Sequence, residues 1–118
     1  MKVFALLLCS MCLCFGQVRD GNFDIRFEPT AKLQTGVEVP FQITVQDALH
    51  KPLPDAKVTL QIETTDHQNV KVFPAPGITP GSYVAKPLFP TAGQWNVDVE
   101  VRRGDLVSAR TIQFSVSD

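Results

Sequence analysis

The chain has 118 residues, with 11 Lys and Arg against 12 Asp and Glu and a net charge of −1. This length fits one domain with a single core and is too short for two. The balanced charge excludes the basic surface with which proteins bind nucleic acid or anionic membranes, so no nucleic-acid partner is expected.

The first 16 residues have the composition of an export signal. Lys2 is followed by an apolar run from Val3 to Phe15 and then by the small Gly16. This order is typical of a cleaved signal peptide, and the run is shorter than the roughly 20 apolar residues that span a bilayer. We predict cleavage after Gly16. Residues 17–118 would then form one extracytoplasmic domain, periplasmic or secreted, without a transmembrane segment.

Cleavage would also remove every cysteine, because Cys9, Cys12 and Cys14 all lie within the predicted signal. Residues 17–118 therefore offer no thiol for a disulfide. The alternative is a lipoprotein anchored through Cys9 or Cys14. Lipidation signals favour a small residue before the cysteine, whereas Leu8 and Leu13 stand there, so we expect anchoring to be the minor alternative.

After the signal, apolar residues recur at every second position, which predicts strands with one buried and one solvated face. In chain order the predicted strands are Asn22–Glu28, Val37–Gln46, Ala56–Thr64, the short piece Val70–Phe73, Ser82–Phe89, Gln94–Arg102 and Leu106–Ser117. Pro40 lacks a backbone donor, so the second strand should be interrupted near its start. The Pro- and Gly-rich segment from Pro74 to Gly81 is predicted to be irregular.

About seven short strands at this spacing are typical of an all-β, antiparallel sandwich of the immunoglobulin-like class. Two sheets must cover each other's apolar faces, because a single sheet would leave these faces in water. Among the inward positions are Phe41, Trp95 and Phe114, which should form the core. Phe73 and Phe89 lie beside prolines, and if both were exposed they would mark a partner-binding patch.

Three segments carry a family resemblance. They read DALHKPLPDAKV from Asp47, PGSYVA at Pro80–Ala85 and FPTAGQWNV at Phe89–Val97. In this order they resemble the YtkA-like domain, which is related to FixH-type proteins and has an immunoglobulin-like β-sandwich fold. Tyr83 should be buried with its hydroxyl bonded to a nearby backbone group, as at a tyrosine corner. Where the family usually has Gly before the Lys-Pro, this chain has His50, so the turn must tolerate a side chain.

Some relatives of this fold carry His and Met residues associated with copper, which makes a metal site the first functional hypothesis. The candidate ligands are His67, in the loop Thr65–Asn69, and His50, in another turn. Residues 17–118 contain no Met or Cys for Cu(I), and Cu(II) needs several converging nitrogen or oxygen ligands. Solvated loop histidines are therefore the favoured interpretation, and we expect no bound cofactor.

Motifs of other function classes are absent or explained by local structure. There is no G-x-S-x-G, no phosphate-binding glycine loop and no H-E-x-x-H, so we expect no catalytic residues and no enzyme. The tripeptide Arg103-Gly104-Asp105 is an integrin-type RGD sequence, but it also fits an ordinary hairpin turn.

The leading hypothesis is a non-enzymatic accessory module of the cell envelope that binds an unidentified protein at a sheet edge, a sheet face or the loops. The alternatives are a copper-handling or metal-sensing protein using His67 and His50, and a structural envelope domain without a dedicated ligand. The oligomeric state is left open at this point.

Overall fold

A computed structural model describes residues 19–118, which form two packed β-sheets and contain no helix. The strands are β1 (Arg19–Asp20), β2 (Asp24–Pro29), β3 (Phe41–Gln46), β4 (Lys57–Thr64), β5 (Val70–Pro74), β6 (Gly77–Thr79), β7 (Ser82–Ala85), β8 (Gly93–Arg103) and β9 (Leu106–Val116). The predicted signal peptide, residues 1–16, lies outside the described residues. Within 19–118, nothing helical is long and apolar enough to cross a membrane.

The five-stranded sheet has the order β1-β9-β8-β4-β5, and the four-stranded sheet has the order β2-β3-β7-β6. Neighbouring strands are antiparallel except for the short β1, which runs parallel to β9. The predicted all-β sandwich is confirmed. The chain changes sheet at Ala75 and Pro76, between β5 and β6, so these two edge strands lie on the same side of the sandwich.

The core lies between the sheets and follows the predicted alternation. In β8 the side chains of Trp95, Val97, Val99 and Val101 are fully buried, and the residues between them face solvent. Opposite them, β3 buries Phe41, Ile43 and Val45. Burying each such side chain stabilises the fold by about 1.5–3 kcal/mol. A shift of either strand by one residue would expose its whole apolar set, so the register is strongly determined.

The start of the second predicted strand differs from the expectation. Strand β3 begins at Phe41. Alternation along the predicted strand Val37–Gln46 puts Val37 on the same inward face as Phe41, and this placement is wrong, because Val37 is 43 % exposed. The interruption predicted at Pro40 is confirmed. Val39 is still buried, and its amide donates to the carbonyl of Pro87 at 3.0 Å outside any regular strand. Since Pro40 cannot donate, the ladder becomes continuous only after it.

Two strands were not predicted, β1 and β6. Strand β6 lies within the Pro-rich segment that was expected to be irregular. Its pairing with β7 contains a register shift between Gly77 and Thr79, so the strand is present but interrupted. The fifth predicted strand is also shorter than expected and ends at Ala85, before Pro87.

Candidate functional site

The two candidate metal ligands lie at opposite ends of the sandwich. His50 is in the turn after β3, whose residues Asp47 and Leu49 border the β8–β9 hairpin at Arg103. His67 follows β4 at its other end, where Thr64 pairs with Trp95. Trp95 and Arg103 lie eight residue steps apart on β8, which is roughly 26 Å at the usual rise of a strand. The structure therefore does not bring His50 and His67 together, and one metal ion cannot bind both.

Within residues 19–118, the imidazole of His67 has one polar partner, Glu63. Its Nδ1 lies 2.7 Å from Oε2 of Glu63, and because a carboxylate only accepts, the imidazole donates from Nδ1. Asp66 points elsewhere in the same loop: the hydroxyl of Thr64 and the amide of Gln68 donate to it, and these bonds lower the pKa of the Asp66 carboxyl. In residues 19–118 no group of three or more His, Cys, Asp or Glu side chains could hold a metal ion.

The turn at His50 explains the departure from the family pattern. His50 has a φ of 64°, in the left-handed region that glycine adopts without strain. The carboxylate of Asp47 accepts hydrogen bonds from the amides of Lys51 and Leu49, which fixes the turn around this residue and lowers the pKa of Asp47. The side chain at position 50 is tolerated because it projects into solvent, where it is exposed.

The RGD tripeptide forms the tip of the β8–β9 hairpin, as predicted. Arg103 pairs with Leu106, and Gly104 has a φ of 64°, which suits the first position of a two-residue turn. Asp105 does not stand alone, because the guanidinium of Arg19 donates to its carboxylate at 3.1 Å. Turn geometry and this exposed ion pair account for all three residues.

The aromatic residues mostly form the core. Trp95 and Phe89 are both fully buried and pack edge to face with ring centroids 5.5 Å apart. Phe73 and Phe89 are therefore not exposed together and do not form the partner-binding patch that joint exposure would have marked, because Phe89 is fully buried and Phe73 is partly buried. The bond predicted for Tyr83 is confirmed: its hydroxyl donates to the carbonyl of Leu53 at 2.7 Å.

Phe73 instead lines a surface groove beside the corner between β5 and β6, which we call the corner groove. It has a volume of about 560 Å³ and is lined by Phe73, Pro74, Pro76, Ile78 and Val84, with Glu38 and Lys86 also in its wall. Ile78 is 63 % exposed. A set of exposed apolar residues bordered by charges is typical of a binding surface.

The sequence contains a weak signal for this groove. Val84 occupies the outward position between Tyr83 and Ala85, where the alternation of β7 calls for a polar residue. Ile78 stands alone in a segment of prolines and glycines, and nothing local indicates whether such a residue is buried. Only the crossing of the chain from one sheet to the other brings the two side chains beside Phe73.

Fold and surface together define a mainly antiparallel β-sandwich module with an exposed apolar groove at the corner between β5 and β6. Residues 17–100 match the YtkA-like family, and the chain belongs to this family. The match ends within β8, and β9 completes the five-stranded sheet by pairing along the whole length of β8.

The fold is similar to that in the crystal structure of a DUF4426 family protein from Pseudomonas aeruginosa PAO1. The TM-score is 0.56 at 14 % sequence identity, over 84 % of this chain and 94 % of that one. At this identity the likeness concerns the fold alone. No curated protein matches the chain.

Proposed function

We propose that this protein is a non-enzymatic, extracytoplasmic accessory module of the YtkA-like family that binds another protein through the corner groove. The observation that carries the proposal is the exposure of Ile78 beside Phe73, Pro76 and Val84. Covering an apolar side chain of this size with a partner stabilises a complex by about 25 cal/mol for each Å² removed from water.

The contrast across the four-stranded sheet supports this location. Towards β2, the outer face carries charged and polar side chains, with Arg26 and Glu28 exposed on β2 and Thr44 on β3. Towards β6, the same face carries Val84 and Ile78. Polar surface on one half and apolar surface on the other is the arrangement of a face that binds a partner at one side only.

The charged residues of the groove would add selectivity. Glu38 and Lys86 have opposite signs and both contribute to its wall. A partner segment would satisfy them with complementary charges while its apolar side chains contact Ile78. Charges at the rim of an interface mainly affect association rate and partner choice, whereas the buried apolar centre provides most of the affinity.

Two further observations support the non-enzymatic, extracytoplasmic part of the proposal. The two histidines, which are the side chains best suited to proton transfer near neutral pH, are exposed and at opposite ends of the fold. The apolar N-terminal run after Lys2 has the pattern of an export signal.

The test is capture of a partner from envelope extract with three forms of the protein: native, Ile78→Asp and the control Leu49→Asp. Leu49 is 73 % exposed and lies at the end of the sandwich near Arg103, away from the groove. We expect a partner that is retained by the native and Leu49→Asp proteins and lost with Ile78→Asp, while all three keep the same circular dichroism. Equal retention by both variants, or no partner, would contradict the proposal and favour a structural domain.

A second candidate function is copper handling at His67. The pair with Glu63 favours it, because a histidine that donates from Nδ1 to a carboxylate presents an oriented Nε2 lone pair to solvent. Titration with Cu(II) tests this directly, with His67→Ala as the variant and His50→Ala as the control. Binding tighter than about micromolar that is lost only in His67→Ala would support the copper function; weak binding, or equal loss in both, would contradict it.

A further inference from the structure

The outer edge of β5 is the most open strand edge of residues 19–118. Four strands end the two sheets: β1, β5, β2 and β6. Strand β1 has two residues and the interrupted β6 has three. Strand β2 is longer, but Arg110 of β9 reaches across and donates to the outward carbonyl of Ile25 at 2.8 Å, which occupies part of that edge. Strand β5 has five residues, and no other strand of the described chain pairs with its outer side.

The backbone groups that β5 presents to solvent follow from its register with β4. The amide of Ala75 donates to Val58, and the amide of Thr64 donates to Asn69, one at each end of the pair. In an antiparallel ladder, hydrogen-bonded residue pairs alternate with non-bonded ones. Residues 71 and 73 therefore bond to β4. Val70 and Val72 direct both their N–H and C=O groups outward, and Pro74 directs its C=O outward.

The side chains of β5 are also divided between two faces. Val70 and Val72 are 49 % and 59 % exposed, and they lie opposite the solvent-facing Glu63 and Gln61 of β4. Lys71 and Phe73 lie on the other face, opposite the buried Ile62 and Leu60, where the sandwich is open at its side. The edge thus combines the outward N–H and C=O groups of Val70 and Val72 with the exposed side chains of the same two valines.

We propose that β5 pairs with β5 of a second copy of this chain, antiparallel, with the two-fold axis at Val72. Val72 then faces Val72 of the second copy, and Val70 faces Pro74 of the second copy. The missing N–H of Pro74 removes one bond from each outer pair, so four inter-chain hydrogen bonds form. The valines and prolines of both copies make a continuous apolar row on the outer face.

Charge decides against one neighbouring register of the β5 pair, and the number of hydrogen bonds decides against the other. With the axis at Val72, Lys71 lies opposite the ring of Phe73 of the second copy, where a cation–aromatic contact is favourable. An axis at Lys71 would place two like charges directly opposite each other, which is destabilising. An axis at Phe73 would form only two hydrogen bonds, since Pro74 would then face Val72 in both pairs. The edge is therefore self-complementary in one register.

The pairing would join two five-stranded sheets into one of ten strands and, being two-fold, would close without forming a filament. This inference goes beyond the proposed function, because it concerns the oligomeric state and needs no foreign partner. Phe73 and Pro74 contribute to both surfaces, whereas Ile78 belongs to the corner groove and Val72 to the β5 edge, so variants at these two positions test the two proposals separately. A short edge contact predicts a weak dimer that is populated as the protein concentration rises.

The decisive experiment uses a cysteine at the axis. In a full chain whose Cys9, Cys12 and Cys14 are replaced by serine, Val72→Cys places two thiols on directly opposite residues. Their Cα atoms would be about 5.5 Å apart, within the range of a disulfide. Leu49→Cys is the control, since it is more exposed and far from β5. We expect Val72→Cys to form a disulfide-linked dimer at least about tenfold faster than Leu49→Cys at equal concentration.

Sedimentation of the unmodified chain over a range of concentrations provides the second measurement. We expect a reversible monomer–dimer equilibrium whose dissociation constant rises at least about tenfold in Val72→Lys, because the two introduced lysines would then lie directly opposite each other at the axis. Thermal unfolding of each variant confirms that it is folded. A monomer at all concentrations up to about millimolar, or equal oxidation rates for the two cysteine variants, would overturn the proposal.

Discussion

Replacing Tyr83 by Phe removes a single oxygen that ties the loop before β4 to β7. The hydroxyl donates to the carbonyl of Leu53 at 2.7 Å and accepts from the amide of Ala56 at 3.3 Å. It thereby closes a bend that contains Asp55, a non-glycine residue with a φ of 57°. Tyr83 is 4 % exposed, so the phenyl ring of the variant stays buried and only the two hydrogen bonds are lost.

The size of the destabilisation in Tyr83→Phe depends on which backbone groups lose their hydrogen-bond partner. Leu53 is 1 % exposed, and leaving a buried carbonyl unsatisfied costs about 1–3 kcal/mol. Ala56 is only partly buried, so water can replace the hydroxyl at its amide. We expect Tyr83→Phe to lower the free energy of unfolding by about 2 kcal/mol, a decrease in Tm of roughly 10 °C for a domain of this size.

Urea unfolding, followed through the fluorescence of Trp95, measures this effect. The matched control is Thr111→Val, which also removes one hydroxyl, but from an exposed hydrogen bond to Asp98 of 2.7 Å. The control should change stability by less than about 0.5 kcal/mol. If Tyr83→Phe were no more destabilising than Thr111→Val, the role assigned to the buried hydroxyl would be refuted.

Three further predictions concern two glycines with positive φ, the edge of β2 and the carboxylate of Asp47. Gly81→Ala should destabilise the protein by more than about 3 kcal/mol, since a Cβ there would lie 2.7 Å from a carbon of Pro52 at a φ of +80°. Gly36 has a similar φ, but a Cβ there would meet no other atom, so Gly36→Ala should lower the stability by only about 1–2 kcal/mol; thermal unfolding of both variants measures the two effects. Arg110→Ala should raise light scattering at high protein concentration, because it uncovers the β2 edge; unchanged scattering would contradict this. Asp47→Ala should lower the free energy of unfolding above about pH 5, where the Asp47 carboxylate is ionised and holds the turn. The difference in stability between the native protein and the variant should vanish below pH 3.8, as the native protein loses this contribution through the lowered pKa of Asp47. A difference in stability that persists in acid would exclude the carboxylate as its cause.

The sequence predicted the structure correctly where the conformation depends on a few neighbouring residues and no distant contact opposes it. The alternation of β8 places Trp95 and its neighbours in the core because side chains on a strand point to opposite faces, whatever the rest of the fold does. The turn at Gly104 follows in the same way from the backbone preference of one residue. The Tyr83 hydroxyl bond joins residues 30 positions apart, and it was predicted from the resemblance to a tyrosine corner and not from a local pattern. The prediction failed at Val37, because Pro40 interrupts the ladder and the periodicity does not continue across it.

The candidate site could not be predicted in the same way. His50 and His67 drew attention because their chemistry is recognisable in isolation, yet the length of β4 keeps them apart. The corner groove depends on Ile78, Val84 and Phe73, three ordinary apolar residues from three strands. Their proximity results from the chain changing sheets at Pro76, and no periodic pattern encodes that crossing.

The sequence by itself determined the class of fold, the membership of the core and the turn chemistry, because each depends on side-chain polarity and backbone preference over a few residues. Only the tertiary structure decided which edges are covered and which are open. Arg110, on a strand of the other sheet, occupies a carbonyl at the β2 edge, while no strand of residues 19–118 pairs with the outer side of Val70 and Val72 on β5. Whether a strand edge is exposed depends on which other parts of the chain lie beside it, so it is decided only when the two sheets have packed.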